Sequence, residues 1–243
     1  MLTVTDKLAY WHMPKTGGMS VYKVLQTCGN RPEWVKGVRR HGPVSQIPQS
    51  ALAKRALFGT VRDPWSWYTS LYQHASSDEQ GIENLKAVGN GDSSFKAVLR
   101  SLTDPQIIAE APITWGLVID YGEAEYADWR ASGLGLCSWM FKHTYGKPNK
   151  MDLFVDTAGL YEGLSEIMNV PLEAIRQVNP QNRAEHRPKS HIEDPASLYD
   201  EEMKKWVAKA DAAYIEMFGY EFFTRPDWTV LAKSDLNLAA PFR

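Results

Sequence analysis

The chain has 243 residues, 44% of them hydrophobic, enough to bury the core of one α/β domain. A formal net charge of −2 gives no overall attraction to nucleic acid or to membrane, so electrostatic recognition has to come from local clusters. Cys28 and Cys137 are the only cysteines, which excludes a disulfide framework and a cysteine-type zinc site.

The start, Met1-Leu2-Thr3-Val4-Thr5-Asp6-Lys7, has no apolar core of the signal-peptide kind, and no run of 18 apolar residues occurs, so a cytoplasmic protein without a membrane partner is expected. Lys7 to Met13 is apolar on both alternating faces, the pattern of a strand covered on both sides. From Ser20 the residues Val21, Val24, Leu25 and Cys28 share one helical face, and Gly29-Asn30 followed by Pro32 ends the helix. Residues 7–29 therefore read as strand, glycine loop, helix.

The same grammar returns at Ala56-Leu57-Phe58-Gly59-Thr60-Val61-Arg62-Asp63-Pro64, with Asp63 as N-cap and Pro64 at the first position of a helix carrying Trp67, Ser70, Leu71 and His74. Residues 76–147 mix glycine, charge and aromatics and are expected to form helices and loops over the sheet. Met151 to Asp156 is a third strand, with a helix around Leu164 to Met168. Tyr199, Met203, Trp206, Val207, Ala210, Tyr214, Met217 and Phe218 predict one long amphipathic helix closed by Gly219. Strand–helix alternation without repeats predicts a single α/β domain over residues 1–243, a three-layer, P-loop-like fold with a mostly parallel central sheet between helices.

The first junction, "YWHMPKTGGMS", concentrates the chemistry. A helix that starts straight after a glycine turn aims its first N–H groups and the positive end of its dipole at one point. Gly17 and Gly18 allow close backbone approach, Lys15 adds a positive charge, and Thr16 and Ser20 add hydroxyls. The set suits phosphate or sulfate, and equally a tight turn with incidental polar residues. It is not a Walker A loop, in which the lysine follows the glycines. At the second junction Arg62 ends a strand and Ser70 stands two helical turns on, both able to reach a second anionic group if the strands are neighbours.

Together, "PKTGGMS" and "RDPWSWYTS" resemble the 5′-phosphosulfate loop and 3′-phosphate motif of sulfotransferases that use 3′-phosphoadenosine 5′-phosphosulfate (PAPS), in the Pro-Lys-Thr-Gly-Gly variant of the carbohydrate branch. "MDLFVDTAGLYEGL" resembles the third-strand segment of that family and "EMFGYEF" its C-terminal ending, so the likeness runs from residue 8 to about 223 in order. Met19, Trp67 and Leu160 depart from the pattern, where threonine, arginine and arginine are usual.

The resemblance implies a metal-free sulfonate transfer from PAPS to a hydroxyl of a glycan or small molecule. Lys15 would act on the bridging oxygen. Pro14 to Ser20, including Met19, would hold the phosphosulfate, and Arg62 and Ser70 the 3′-phosphate. His41, in "VRRHGPVSQI", resembles the catalytic histidine of the hexuronic acid 2-O-sulfotransferases, with His12 as the reserve base. Arg187 and Lys189, with Arg183, resemble a loop that closes over the nucleotide. Lys36, Arg39 and Arg40 either attract an anionic acceptor or simply solvate a loop, and Trp115, Tyr121, Tyr126, Trp129 and Trp139 either line a pocket for it or fill the core. The alternatives are an unorthodox nucleotide-binding kinase and a non-catalytic nucleotide-binding relative.

Overall fold

The computed structural model describes residues 2–29, 33–35, 41–104, 107, 123–146, 150–178 and 192–236. Six strands form one sheet: β1 (Leu2–Val4), β2 (Leu8–Trp11), β3 (Glu33–Trp34), β4 (Ala56–Val61), β5 (Leu153–Asp156) and β6 (Val230–Ala232), in the order β3-β1-β2-β4-β5-β6. The helices are α1 (Gly18–Cys28), α2 (Gln49–Leu52), α3 (Pro64–Ala75), α4 (Glu79–Val88), α5 (Phe95–Thr103), α6 (Glu123–Ser132), α7 (Leu136–Tyr145), α8 (Leu160–Met168), α9 (Leu172–Gln177), α10 (Glu201–Ala210) and α11 (Ala212–Phe218). The fold is α/β, as the alternation predicts. Its centre, β2-β4-β5, is parallel, while β1, β3 and β6 extend it with antiparallel pairings.

Chain contacts divide the molecule into two compact units. The first comprises residues 1–62, 141–186 and 225–243 and contains the whole sheet. Strand alternation gives that sheet two apolar faces. On one, Tyr10, Phe58 and Val155 pack with Val21, Val24 and Leu25 of α1, Leu164 of α8 and Ile175 of α9. On the other, Trp11, Gly59 and Phe154 lie in one cross-strand row. Tyr145 at the end of α7 packs on that row: a Cβ at Gly59 would stand 2.6 Å from its ring, and its ring meets Phe154 edge-on at 5.3 Å. The indole of Trp11 donates to the Thr144 carbonyl at 3.1 Å.

The second unit comprises residues 63–140 and 187–224. Its first helix, α3, starts as the sequence predicts: the Asp63 carboxylate accepts from the Ser66 amide at 2.8 Å and Pro64 stands in the first turn. The expected single helix over 199–218 does not form. Tyr199 precedes α10, and the chain breaks at Asp211 (φ −110°, ψ 20°) before α11 ends at a left-handed Gly219. The cause is the buried Asp211 carboxylate, which accepts from the Ser138 amide at 2.8 Å and the Tyr68 hydroxyl at 2.9 Å. Tyr68 accepts in turn from the Cys137 amide at 3.2 Å, so one carboxylate fixes the start of α7. Gly135 permits this approach, since a Cβ there would lie 2.7 Å from Asp211 Oδ1.

Burial pushes the Asp211 carboxyl up from its ordinary 3.8 to about 6, against the pull of its hydrogen bonds from Ser138 and Tyr68. The folded protein therefore binds this proton more tightly than the unfolded chain. Stability from this group is highest below pH 4 and declines as pH rises towards 6, by about 3 kcal/mol in all. Asp211→Asn should remove this decline, so its stability relative to wild type should improve between pH 4 and pH 7. Denaturant unfolding at both pH values measures it; a difference independent of pH would show that Asp211 does not titrate in this window.

Candidate functional site

The loop between β2 and α1 is built from the inside outward. Lys15 (φ 64°) and Gly17 (φ 77°) are both left-handed, and Thr16 between them is fully buried. Thr16 Oγ1 donates to the Met13 carbonyl at 2.7 Å and lies 2.8 Å from Thr60 Oγ1 on β4, which is 2.9 Å from the Tyr10 hydroxyl on β2. A carbonyl only accepts, so the protons run one way: Tyr10 donates to Thr60, Thr60 to Thr16, and Thr16 to Met13. Burial drives the Tyr10 phenol far above its usual range and keeps it a donor. The expected role of the Thr16 hydroxyl as a ligand donor is therefore corrected: its proton holds the loop closed.

Gly17 is the N-cap of α1, with its carbonyl accepting from the Ser20 and Val21 amides at 2.9 and 3.1 Å. No acidic residue occupies the first turn of the helix, and no side chain caps it. Helix geometry points the leading amides of α1 out of its end. Beside Gly17 stand Thr157 and Leu160, from the segment after β5. Met19 is half exposed.

Arg62, one residue past β4, donates through Nη1 to the Lys15 carbonyl at 3.4 Å. The parallel pairing of β2 with β4 brings the two junctions side by side. Burial, then the positive charge of Arg62, lowers the Lys15 ammonium to about 8. An anion arriving between these groups would relieve both penalties.

His12 and His41, which the sequence offers as rivals, are neighbours. Their rings are 4.9 Å apart between centroids, tilted by 54°, and only 7% and 1% exposed. The His12 ring lies against Gly18: a Cβ on Gly18 would stand 2.1 Å from Nε2. Gly18 is thus a glycine because an imidazole occupies the place of its side chain.

The structure brings together Pro14 to Ser20, Arg62, His12 and His41 within the first unit. Ser70 is half-buried on α3 in the second unit. Arg183, Arg187, Lys189, Lys36, Arg39, Arg40, Trp115 and Tyr121 lie outside the described residues. Trp129 and Trp139 are buried, and their indoles bond to the Leu134 carbonyl and the Asp128 carboxylate, as core and not as pocket wall. Among the described residues no group of three or more His, Cys, Asp or Glu is placed to hold a metal ion, and no helix is long and apolar enough to cross a membrane. Sequence reasoning missed Thr60, although it lies on the same strand face as Phe58, which pairs with Tyr10 of β2. Comparison with protein families, curated proteins and solved structures finds no match.

Replacing Thr60 by valine keeps the shape and removes the middle of the hydroxyl chain. Tyr10 then loses its acceptor and Thr16 its donor, each buried. A loss of about 1–3 kcal/mol in unfolding free energy is expected, with Thr60→Ser close to wild type. Chemical denaturation of both variants checks this; equal stability of Thr60→Val and wild type would remove the brace.

Proposed function

We propose that the chain is a cytoplasmic sulfotransferase that moves a sulfonate group from PAPS to a hydroxyl of a glycan or small-molecule acceptor. The observation that carries the reading is the convergence of Lys15 and Arg62, from the two separate sequence motifs, on the turn that starts α1. Two cations and a helix N-terminus at one place favour a multiply charged anion.

In this reading the leading amides of α1 hold the 5′-phosphosulfate, Arg62 serves the 3′-phosphate, and His41 is the base. The acceptor oxygen attacks sulfur in line with the bond to the leaving phosphate oxygen. The new O–S bond forms as the old one breaks, His41 takes the hydroxyl proton, and Lys15 neutralises the charge on the departing 5′-phosphate. No metal enters this scheme, because positioning and fixed positive charge supply the stabilisation.

Thermal stabilisation tests the donor. Adenosine 3′,5′-bisphosphate (PAP) should stabilise the protein far more than AMP or ATP with magnesium; equal or greater stabilisation by ATP would favour a kinase instead. The free Lys15 ammonium titrates near 8, so below that pH it meets the anion already charged. Above it, binding must first take up a proton, and PAP affinity should fall by up to about tenfold per pH unit. Lys15→Gln should bind more weakly and lose this pH dependence, as calorimetry from pH 7 to 9.5 would read.

Removing a general base slows transfer by about 10²–10⁴. His41→Ala should show a loss of that size with PAP binding retained, measured with whichever acceptor labelled PAPS identifies. Near-native turnover would acquit His41.

A further inference from the structure

His12 occupies a position that the proposed chemistry leaves idle. It is buried, it borders the base, and its ring also rests against the first residue of α1. Three atoms of its ring, Nε2, Cδ2 and Cε1, would lie 2.1, 2.2 and 2.6 Å from a Cβ on Gly18. The same ring neighbours His41 at 4.9 Å between centroids, with Tyr10 at 6.0 Å. His12 is thus a close neighbour both of the helix end at Gly18 and of the base His41. Close-packed interiors have little slack, so a displacement of one neighbour is felt by the other through the shared ring.

We propose that His12 is a positioning residue for His41: its ring transmits the placement of the α1 N-terminus, and hence the arrival of the anion there, to the imidazole that takes the acceptor proton. The inference rests on the reading of that helix end as the anion site and of His41 as the base, but the mechanical link itself needs neither. His12 touches no reacting atom in this scheme. Its role is to make the orientation of His41 depend on an ordered phosphosulfate loop, so that proton removal and donor binding are geometrically coupled. A histidine suits the place because a flat five-membered ring fits over a glycine Cα, where no Cβ intervenes.

The imidazole Cε1–H signals of the full-length protein report the link directly by NMR, with the His41 signal assigned by its disappearance in His41→Ala. Two perturbations are applied. Gly18→Ala forces the His12 ring to move and needs no nucleotide; PAP perturbs the same helix end by binding. Each should shift the His41 signal when His12 is present. In His12→Ala, where the ring is gone, the response to both should be lost, and in His12→Phe, where a ring refills the space, it should return. A His41 shift of the same size with and without the His12 ring, or no shift from Gly18→Ala in the wild-type background, overturns the proposal. If Gly18→Ala does not fold, the PAP arm decides. If PAP fails to bind any variant, the sulfotransferase reading falls while the Gly18→Ala arm still decides the link.

Discussion

The position of the loop at residues 14–18 depends on a short chain of hydroxyl groups, from Tyr10 through Thr60 and Thr16 to the Met13 carbonyl. Each link is between 2.7 and 2.9 Å and buried, where an unmade hydrogen bond costs the most. Thr60 is itself clamped by Tyr145, whose hydroxyl accepts from the Thr60 amide at 3.1 Å and donates to its carbonyl at 2.9 Å. The loop is therefore tied to the neighbouring strand by a side chain and to the opposite face of the sheet through the backbone of that strand. Lys15 is left-handed and half-buried because Thr16 is drawn inward, and the lowered charge stability of Lys15 follows from that burial.

The two glycines answer different demands. Gly17 supplies a left-handed turn and the cap of α1. Gly18 has no positive φ; it yields space to an imidazole. The sequence reading assigns both glycines to close approach of a ligand; the fold itself demands a glycine at each. The same holds for Thr16, whose residue type suits anion binding while its proton is committed to Met13.

What the sequence discloses follows from the range of the interactions. β2, α1, β4, α3 and β5 each carry enough alternation, helical spacing or capping chemistry within a few residues to be read locally, and Asp63-Pro64 gives the start of α3 to the residue. β1, β3 and β6 are three, two and three residues long, too short to display a period, and exist because a neighbouring strand pairs with them. The break at Asp211 is illegible for a related reason. The apolar spacing runs through it undisturbed, and only the distant Tyr68 and Ser138 make a non-helical aspartate worthwhile there. The meeting of His12 with His41 is likewise a long-range event, so spacing alone treats them as competitors.

The first unit is assembled from three separate stretches of chain, with 63–140 and 187–224 belonging to the other. Its antiparallel β1–β2 pair closes locally, but β4 must await β5 across some ninety intervening residues, and β6 pairs only after residue 230. Loop closure over such distances slows folding. During synthesis the motif at 14–18 emerges well before the Tyr145 clamp and the β5 segment that flank it. The loop at 14–18 is thus translated well before the segments that hold it in place, so a nascent chain carries the motif long before it carries the arrangement around it.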